Sequence, residues 1–158
     1  MGHRSIVITV SDGVSAGIRE DGSGEALEAL LEGAGFQVTR DLVPDEAEEI
    51  SDAIRRASID ADLVVTTGGT GFGLRDVTPE ATGRVLEREA PGLVQAMIAR
   101  GLEATPMAAL TRAKAGTVGD SLVINLPGSP KGAVESLEAV LDIIPHALQL
   151  LSGDNKHH

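Results

Sequence analysis

The stretch Val64 to Thr82, VVTTGGTGFGLRDVTPEAT, constrains the fold more than any other part of the 158-residue chain. An apolar run of strand character, Leu63 to Thr67, empties into a turn holding Gly68, Gly69, Gly71 and Gly73, and Thr78-Pro79-Glu80 then opens a helix. Thr78 suits the N-cap, Pro79 the first turn and Glu80 the helix dipole. Strand, glycine loop and helix in this order form a phosphate-binding arrangement, because glycine lets the backbone lie close to an anion at a helix N-terminus. Thr66, Thr67, Thr70, Arg75 and Asp76 give the loop more polar side chains than a plain connection needs, although a structural left-handed turn uses glycine in the same way. No Gly-x-x-x-x-Gly-Lys-Ser/Thr occurs, and Gly69, Gly71 and Gly73 have the wrong spacing for Gly-x-Gly-x-x-Gly. A P-loop NTPase and a Rossmann dehydrogenase are both disfavoured.

The rest of the chain supplies a sheet for this loop to stand on. Arg4 to Val10 is a nearly continuous β-branched run, the pattern of a parallel strand buried on both faces. A polar loop starting with Ser11-Asp12-Gly13 leads to a helix from Ser23, with Ala26, Leu27, Leu30, Leu31 and Ala34 on one face and Gly33 and Gly35 as stops. Phe36 to Val43 alternates as a half-exposed strand near an edge. Pro44 to Glu48 begins a second helix that turns Ile50, Ala53, Ile54 and Ala57 inward, with Asp45 and Glu48 spaced as a variant capping box. A helix from Pro79 to about Glu89, a second from Leu93 to Leu102, strands Ala113–Val118 and Ser121–Leu126 around a Gly119-Asp120 turn, and helices from Ala133 and Pro145 complete the pattern.

The alternation predicts an α/β three-layer sandwich with a mostly parallel sheet, in one domain spanning residues 1–158 with an ordered core of about 4–152. Ligands in such sheets bind at the carboxyl ends of the strands, near the switch point. Ser11-Asp12, Asp45, Gly68 to Asp76 and Pro127 to Lys131 all follow predicted strands, so four loops should meet at one rim.

Charge and composition narrow what this rim can hold. The formal net charge is −11 and the only aromatic residues are Phe36 and Phe72, which disfavours a nucleic-acid partner and removes any base-stacking surface. An anionic ligand must then be small and held in a cleft. There is no cysteine, so neither a thiolate nucleophile nor a disulfide framework is available. Three of the four histidines, His3, His157 and His158, lie at the chain ends, and His146 reads as a packing or capping residue of the last helix, which argues against Ser-His-Asp catalysis. No apolar stretch approaches a membrane span and no signal peptide precedes the first strand, so a cytoplasmic protein is expected.

Two loops share one design, an apolar strand followed by a glycine turn and a helix begun by Thr78-Pro79 or Ser129-Pro130. Two helix N-termini at one rim would offer backbone donors to anionic groups, with Lys131 and Arg75 adding full charges. Asp12, Asp45 and Asp76 on neighbouring loops could hold Mg²⁺ together with substrate phosphates. Such a site favours phosphoryl or nucleotidyl transfer, in which positioning and charge neutralisation replace a protein nucleophile. For Asp76, a salt bridge to Arg75 or a helix cap is the plainer alternative.

The strings VSDG, VPDE, TTGGTG with RDVTPEAT, and NLPGSPKG stand in the order seen in the MogA/MoaB family, which this chain resembles over nearly its whole length, and whose domain also occurs in gephyrin-like proteins. The resemblance implies molybdopterin adenylyltransferase activity: Mg²⁺-dependent transfer of AMP from ATP to the terminal phosphate of molybdopterin. It implies Asp45 and Asp76 as the catalytic carboxylates, and Ser11, Asp12, Thr67, Gly68, Gly69, Thr70, Gly71, Gly128, Ser129 and Lys131 as the lining of the pterin and nucleotide site. It further implies a homo-oligomer, trimer or hexamer, and a molybdate-insertion enzyme as downstream partner; the Ala- and Leu-rich stretch Leu93 to Leu110 reads equally as its contact surface or as ordinary core helix. A non-catalytic MoaB-type paralogue that binds pterin or serves as an oligomeric scaffold is the alternative.

Overall fold

The computed structural model describes residues 2–153; His157 and His158 lie outside the described residues. Six strands form one mixed sheet: β1 (Arg4–Val10), β2 (Gln37–Val43), β3 (Leu63–Thr67), β4 (Arg88–Glu89), β5 (Ala115–Val118) and β6 (Ser121–Leu126), in spatial order β2-β1-β3-β6-β5-β4. β1 pairs in parallel with β2 on one side and β3 on the other, and β3 pairs in parallel with β6. β5 and β4 run antiparallel at the far edge. The chain therefore reverses its direction of growth at β1, and a crevice opens between the carboxyl ends of β1 and β3.

Consecutive residues of the central strands enter different cores, as a period of two requires. Val7, Val65 and Ile124 pack with Leu27, Leu31, Leu137 and Val140, from helices α2 (Gly22–Gly33) and α6 (Pro130–Leu141), while α5 (Pro91–Leu102) and α7 (Ile144–Leu151) cover the same face. Ile8, Val64 and Val123 pack on the other face with Ile50, Ala53, Ile54 and Ala81, from α3 (Ala47–Asp60) and α4 (Thr78–Gly83). These are the three layers that the strand-helix alternation predicts. Aliphatic packing suffices here: the largest fully buried side chains are Ile, Leu and Val.

Several elements depart from the sequence expectation. The helix expected from Pro79 to about Glu89 ends at Gly83, and Arg88–Glu89 instead pair with Gly116 and Thr117 as β4, because Pro91 disfavours helical geometry at Ala90 and the backbone finds strand partners. Pro91 takes the first turn of α5, which begins two residues before the expected Leu93. The polar segment after β1 contains a short helix, α1 (Asp12–Ser15), capped by Ser11. His146 is exposed and caps nothing: α7 has no side-chain cap.

Candidate functional site

A cleft of about 540 Å³ opens at the carboxyl ends of β1 and β3, where the topology places it. Ser11, Asp45, Thr67, Gly68, Gly69, Asp76, Gly128 and Ser129 line it, so the structure brings eight of the sequence-selected residues together. Gly68 has φ +106, and a Cβ there would run into the carbonyl oxygen of Val10; Gly69 has φ +70, and its missing Cβ leaves room for the Thr78 hydroxyl. These two positions let β3 turn at once, and the loop then folds back over the rim.

The remaining selected residues sit elsewhere. Thr70 and Gly71 line a second, mainly apolar cavity of about 300 Å³ beneath α5 and α6, which shares Ser129 with the first. Lys131 is exposed in the first turn of α6 and lines neither cavity. Thr78 does not cap α4. Val77 occupies the N-cap position without a side-chain bond, and the Thr78 hydroxyl donates to the Gly68 carbonyl at 2.9 Å, closing the loop on itself. Besides the short α1, whose N-cap Ser11 lies in the wall, the helix N-termini at the cleft are those of α6, through Ser129 and Pro130, and α2, through Gly22 and Ser23. Ser129 caps α6 by accepting from the Gly132 amide at 3.1 Å, and Asp21 caps α2 by accepting from Gly24 at 2.9 Å.

The carboxylates are held in three different ways. Asp45 does not form the capping box suggested by its spacing from Glu48; Glu46 stands at the N-cap of α3 without a side-chain bond. Instead the Asp12 amide donates to Asp45 and the Asp45 amide donates to Asp12, both at 2.9 Å, so the ends of β1 and β2 clasp each other. Burial pushes the Asp45 carboxyl above its ordinary value of 3.8, and the negative charges of Asp12 and Asp76 add to that rise. Asp12 shifts down, because Arg75 reaches it with two hydrogen bonds at 3.0 Å while also pairing with Glu46. Arg75 is thereby occupied by carboxylates rather than left for phosphate, and its own proton is held more tightly than usual. Asp76 makes no salt bridge to Arg75. Its side chain accepts from the Gly73 amide at 2.9 Å, folded over the loop where Gly71 and Gly73 carry no Cβ. Among the described residues no group of three acidic or histidine side chains is placed to hold a metal ion, so the three-carboxylate arrangement of Asp12, Asp45 and Asp76 is not formed.

Arg112 escaped the sequence reading. Its guanidinium donates to the carbonyls of Gly71 and Asp76, both at 2.8 Å, pairs with Glu80 and lies 5.8 Å from the centre of the Phe72 ring. Its own amide donates to Thr70. One side chain thus holds both ends of the segment that carries Asp76. The visible signal was the antiparallel direction of β5, which puts the residues just before Ala115 at the same rim. Asn125, buried in β6, donates to Thr66 and Thr82 at 3.0 Å and accepts from the Lys114 amide, tying this rim to the core.

Residues 6–146 match the family described as a probable molybdopterin binding domain. The chain belongs to the MogA/MoaB family. Its relatives in that family include the molybdopterin adenylyltransferase of Helicobacter pylori, 41% identical over 94% of this chain and 87% of the relative. The Escherichia coli molybdopterin adenylyltransferase is 36% identical over 93% of this chain and 84% of its own length. The crystal structure of the molybdopterin biosynthesis enzyme MoaB from Thermus thermophilus superposes with a TM-score of 0.90 at 49% identity, covering 96% of this chain and 97% of that one. The α/β fold with its mostly parallel sheet is that of the MogA/MoaB proteins.

Proposed function

We propose that this chain is a molybdopterin adenylyltransferase that joins the AMP of ATP to the terminal phosphate of molybdopterin. The observation that carries the reading is the pair of cavities meeting at Ser129, one of mixed polar and apolar lining flanked by the N-termini of α2 and α6, the other mainly apolar and walled by α5 and α6. A transfer between two substrates that each combine a flat ring with phosphate needs such a junction. Relatives named for this activity, matching along most of their length, support it.

In this reading the amides at the start of α6 and α2 orient phosphate oxygens in the first of these, and Asp45 and Asp76 fix the attacking phosphate in line with the α-phosphorus. The phosphate oxygen forms the new P–O bond, the bond to the β-phosphate breaks, and pyrophosphate leaves. Asp45 and Asp76 fit a Mg²⁺ held largely by substrate phosphates and water, since Asp45 already feels neighbouring like charges that a dication would offset. Bound there, the ion would neutralise phosphate charge. Cytoplasmic location and assembly as a trimer or hexamer belong to the same proposal. Leu102, Met107 and Leu110, exposed in or beside α5, are the contact surface it would use. Among the described residues no helix is long and apolar enough to cross a membrane.

The second reading is a MoaB-type paralogue that binds pterin or acts as an oligomeric scaffold without catalysis; the 49% identity to the Thermus MoaB chain bears on the subtype alone, since that protein is itself described as a molybdopterin biosynthesis enzyme. A single-turnover assay with molybdopterin, Mg²⁺ and α-labelled ATP separates the two. The parent should yield adenylylated molybdopterin, and Asp76→Asn should lose about 10²- to 10³-fold in rate while staying folded. Pterin binding without product in the parent would select the paralogue; a variant within a few-fold of the parent would remove Asp76 from the chemistry.

A further inference from the structure

The cations at this rim are mostly committed. Arg75 is shared by Asp12 and Glu46, Arg112 by the loop carbonyls and Glu80, and Lys114 pairs with Glu89. Lys131 lies outside the cleft. Arg19 is different: it is the one Lys or Arg in the cleft wall, and among the described residues no carboxylate pairs with it, although Glu20, Asp21, Asp45 and Asp76 line the same space.

Its placement is built by the backbone. The chain reverses after α1 at Gly17, φ +74, and the amides of Ile18 and Arg19 both donate to the Gly13 carbonyl, at 2.9 and 3.2 Å. The side chain then folds back over Gly13: its Nε and Cζ lie 3.5 and 3.7 Å from the position a Cβ would take there. This brings the guanidinium over α1, on the wall shared with Ser11 and Val14, in the cleft that also holds the N-termini of α2 and α6.

We propose that Arg19 is the cation that grips a substrate phosphate in this cleft, the part that sequence reasoning gave to Lys131 and Arg75. The inference rests on the adenylyltransferase reading only for the identity of the phosphate. The site itself calls for a phosphate ester or polyphosphate, since an unpaired guanidinium forks onto two phosphate oxygens while helix N-terminal amides take others.

The test uses the full chain with Arg19→Ala and Arg19→Lys, both at an exposed position and both checked for folding by circular dichroism. Calorimetry with inorganic pyrophosphate as the probe should show about tenfold weaker binding for the Ala variant, a shallower dependence on ionic strength, and partial recovery with Lys. In steady-state assays KM should rise by more than kcat falls. A rise for ATP alone assigns the triphosphate, and a rise for molybdopterin alone assigns its phosphate. The inference is overturned if the parent does not bind pyrophosphate, or if Arg19→Ala binds it within twofold of the parent with the same salt dependence. Failure of the enzymatic reading looks different: Arg19-dependent pyrophosphate binding would persist in a parent that makes no adenylylated product.

Discussion

The loop after β3 and the loop after β6 are written in the same residue language and built in opposite ways. Both follow a buried strand and contain glycine, and both carry a hydroxyl residue followed by proline at the start of a helix. After β6 the local design holds: Ser129 caps, Pro130 takes the first helical position, and α6 runs for 12 residues with its N-terminus on the cleft. After β3 it does not. The α4 helix has six residues and no side-chain cap, Thr78 bonds backward to Gly68, and the loop's shape depends on Arg112 from outside it. A helix-terminus site can be specified by four adjacent residues, whereas a loop that must aim a carboxylate needs support from a distant part of the chain.

The sharpest way to break this comparison is to remove the distant support. Arg112→Ala should cost about 2 kcal/mol, lower Tm by roughly 4–8 °C, and reduce kcat by about 10- to 100-fold through a loosened Asp76 segment. Calorimetric scans and single-turnover rates would check it, with Lys expected to restore little, because one ammonium cannot span both carbonyls and Glu80. Normal turnover in a folded Ala variant would mean that the loop shapes itself.

A smaller effect is expected on the other side. Ser129→Ala deletes only a local cap, so stability should fall by about 1 kcal/mol, or roughly 2–4 °C in Tm, with Gly a milder change than Ala. If the loss matched that of Arg112→Ala, the distinction between local and distant support would fail.

The smallest effect concerns pH. Asp45 is raised mainly by burial and then by the charges of Asp12 and Asp76, so its ionised form, needed for positioning, should be lost on the acid side above the ordinary carboxylate value. Asp12→Asn removes one of those charges and should move the acid limb of the rate profile downward. In stability the signs oppose. Raised Asp45 contributes stability below its unfolded value that is lost as pH rises through its folded value; lowered Asp12 and Glu80 contribute above theirs and lose it as pH falls. A limb that stays in place would show that the charge of Asp12 is already cancelled by Arg75.

Much of this molecule is legible in the order of its residues. Arg4 to Val10, Leu63 to Thr67 and Ser121 to Leu126 announce buried strands because β-branched and aliphatic runs of that length are stable only when shielded from water on both faces, and the loops that follow them must then share a rim. Gly68, Gly69 and Ser129 are legible for a related reason: each stands close to a strand end, where local sequence sets backbone direction. Contacts that span the chain are not legible in this way. Asp12 and Arg75 lie 63 positions apart, Arg112 and Gly71 lie 41, and only the sheet order brings them together. The tertiary structure therefore decided that Arg75 is consumed by carboxylates, that Asp45 clasps Asp12 instead of capping α3, and that α2 rather than α4 offers its N-terminus to the cleft. Local propensity acts over a few residues, but a charged side chain answers to whichever partner the fold brings within about 3 Å.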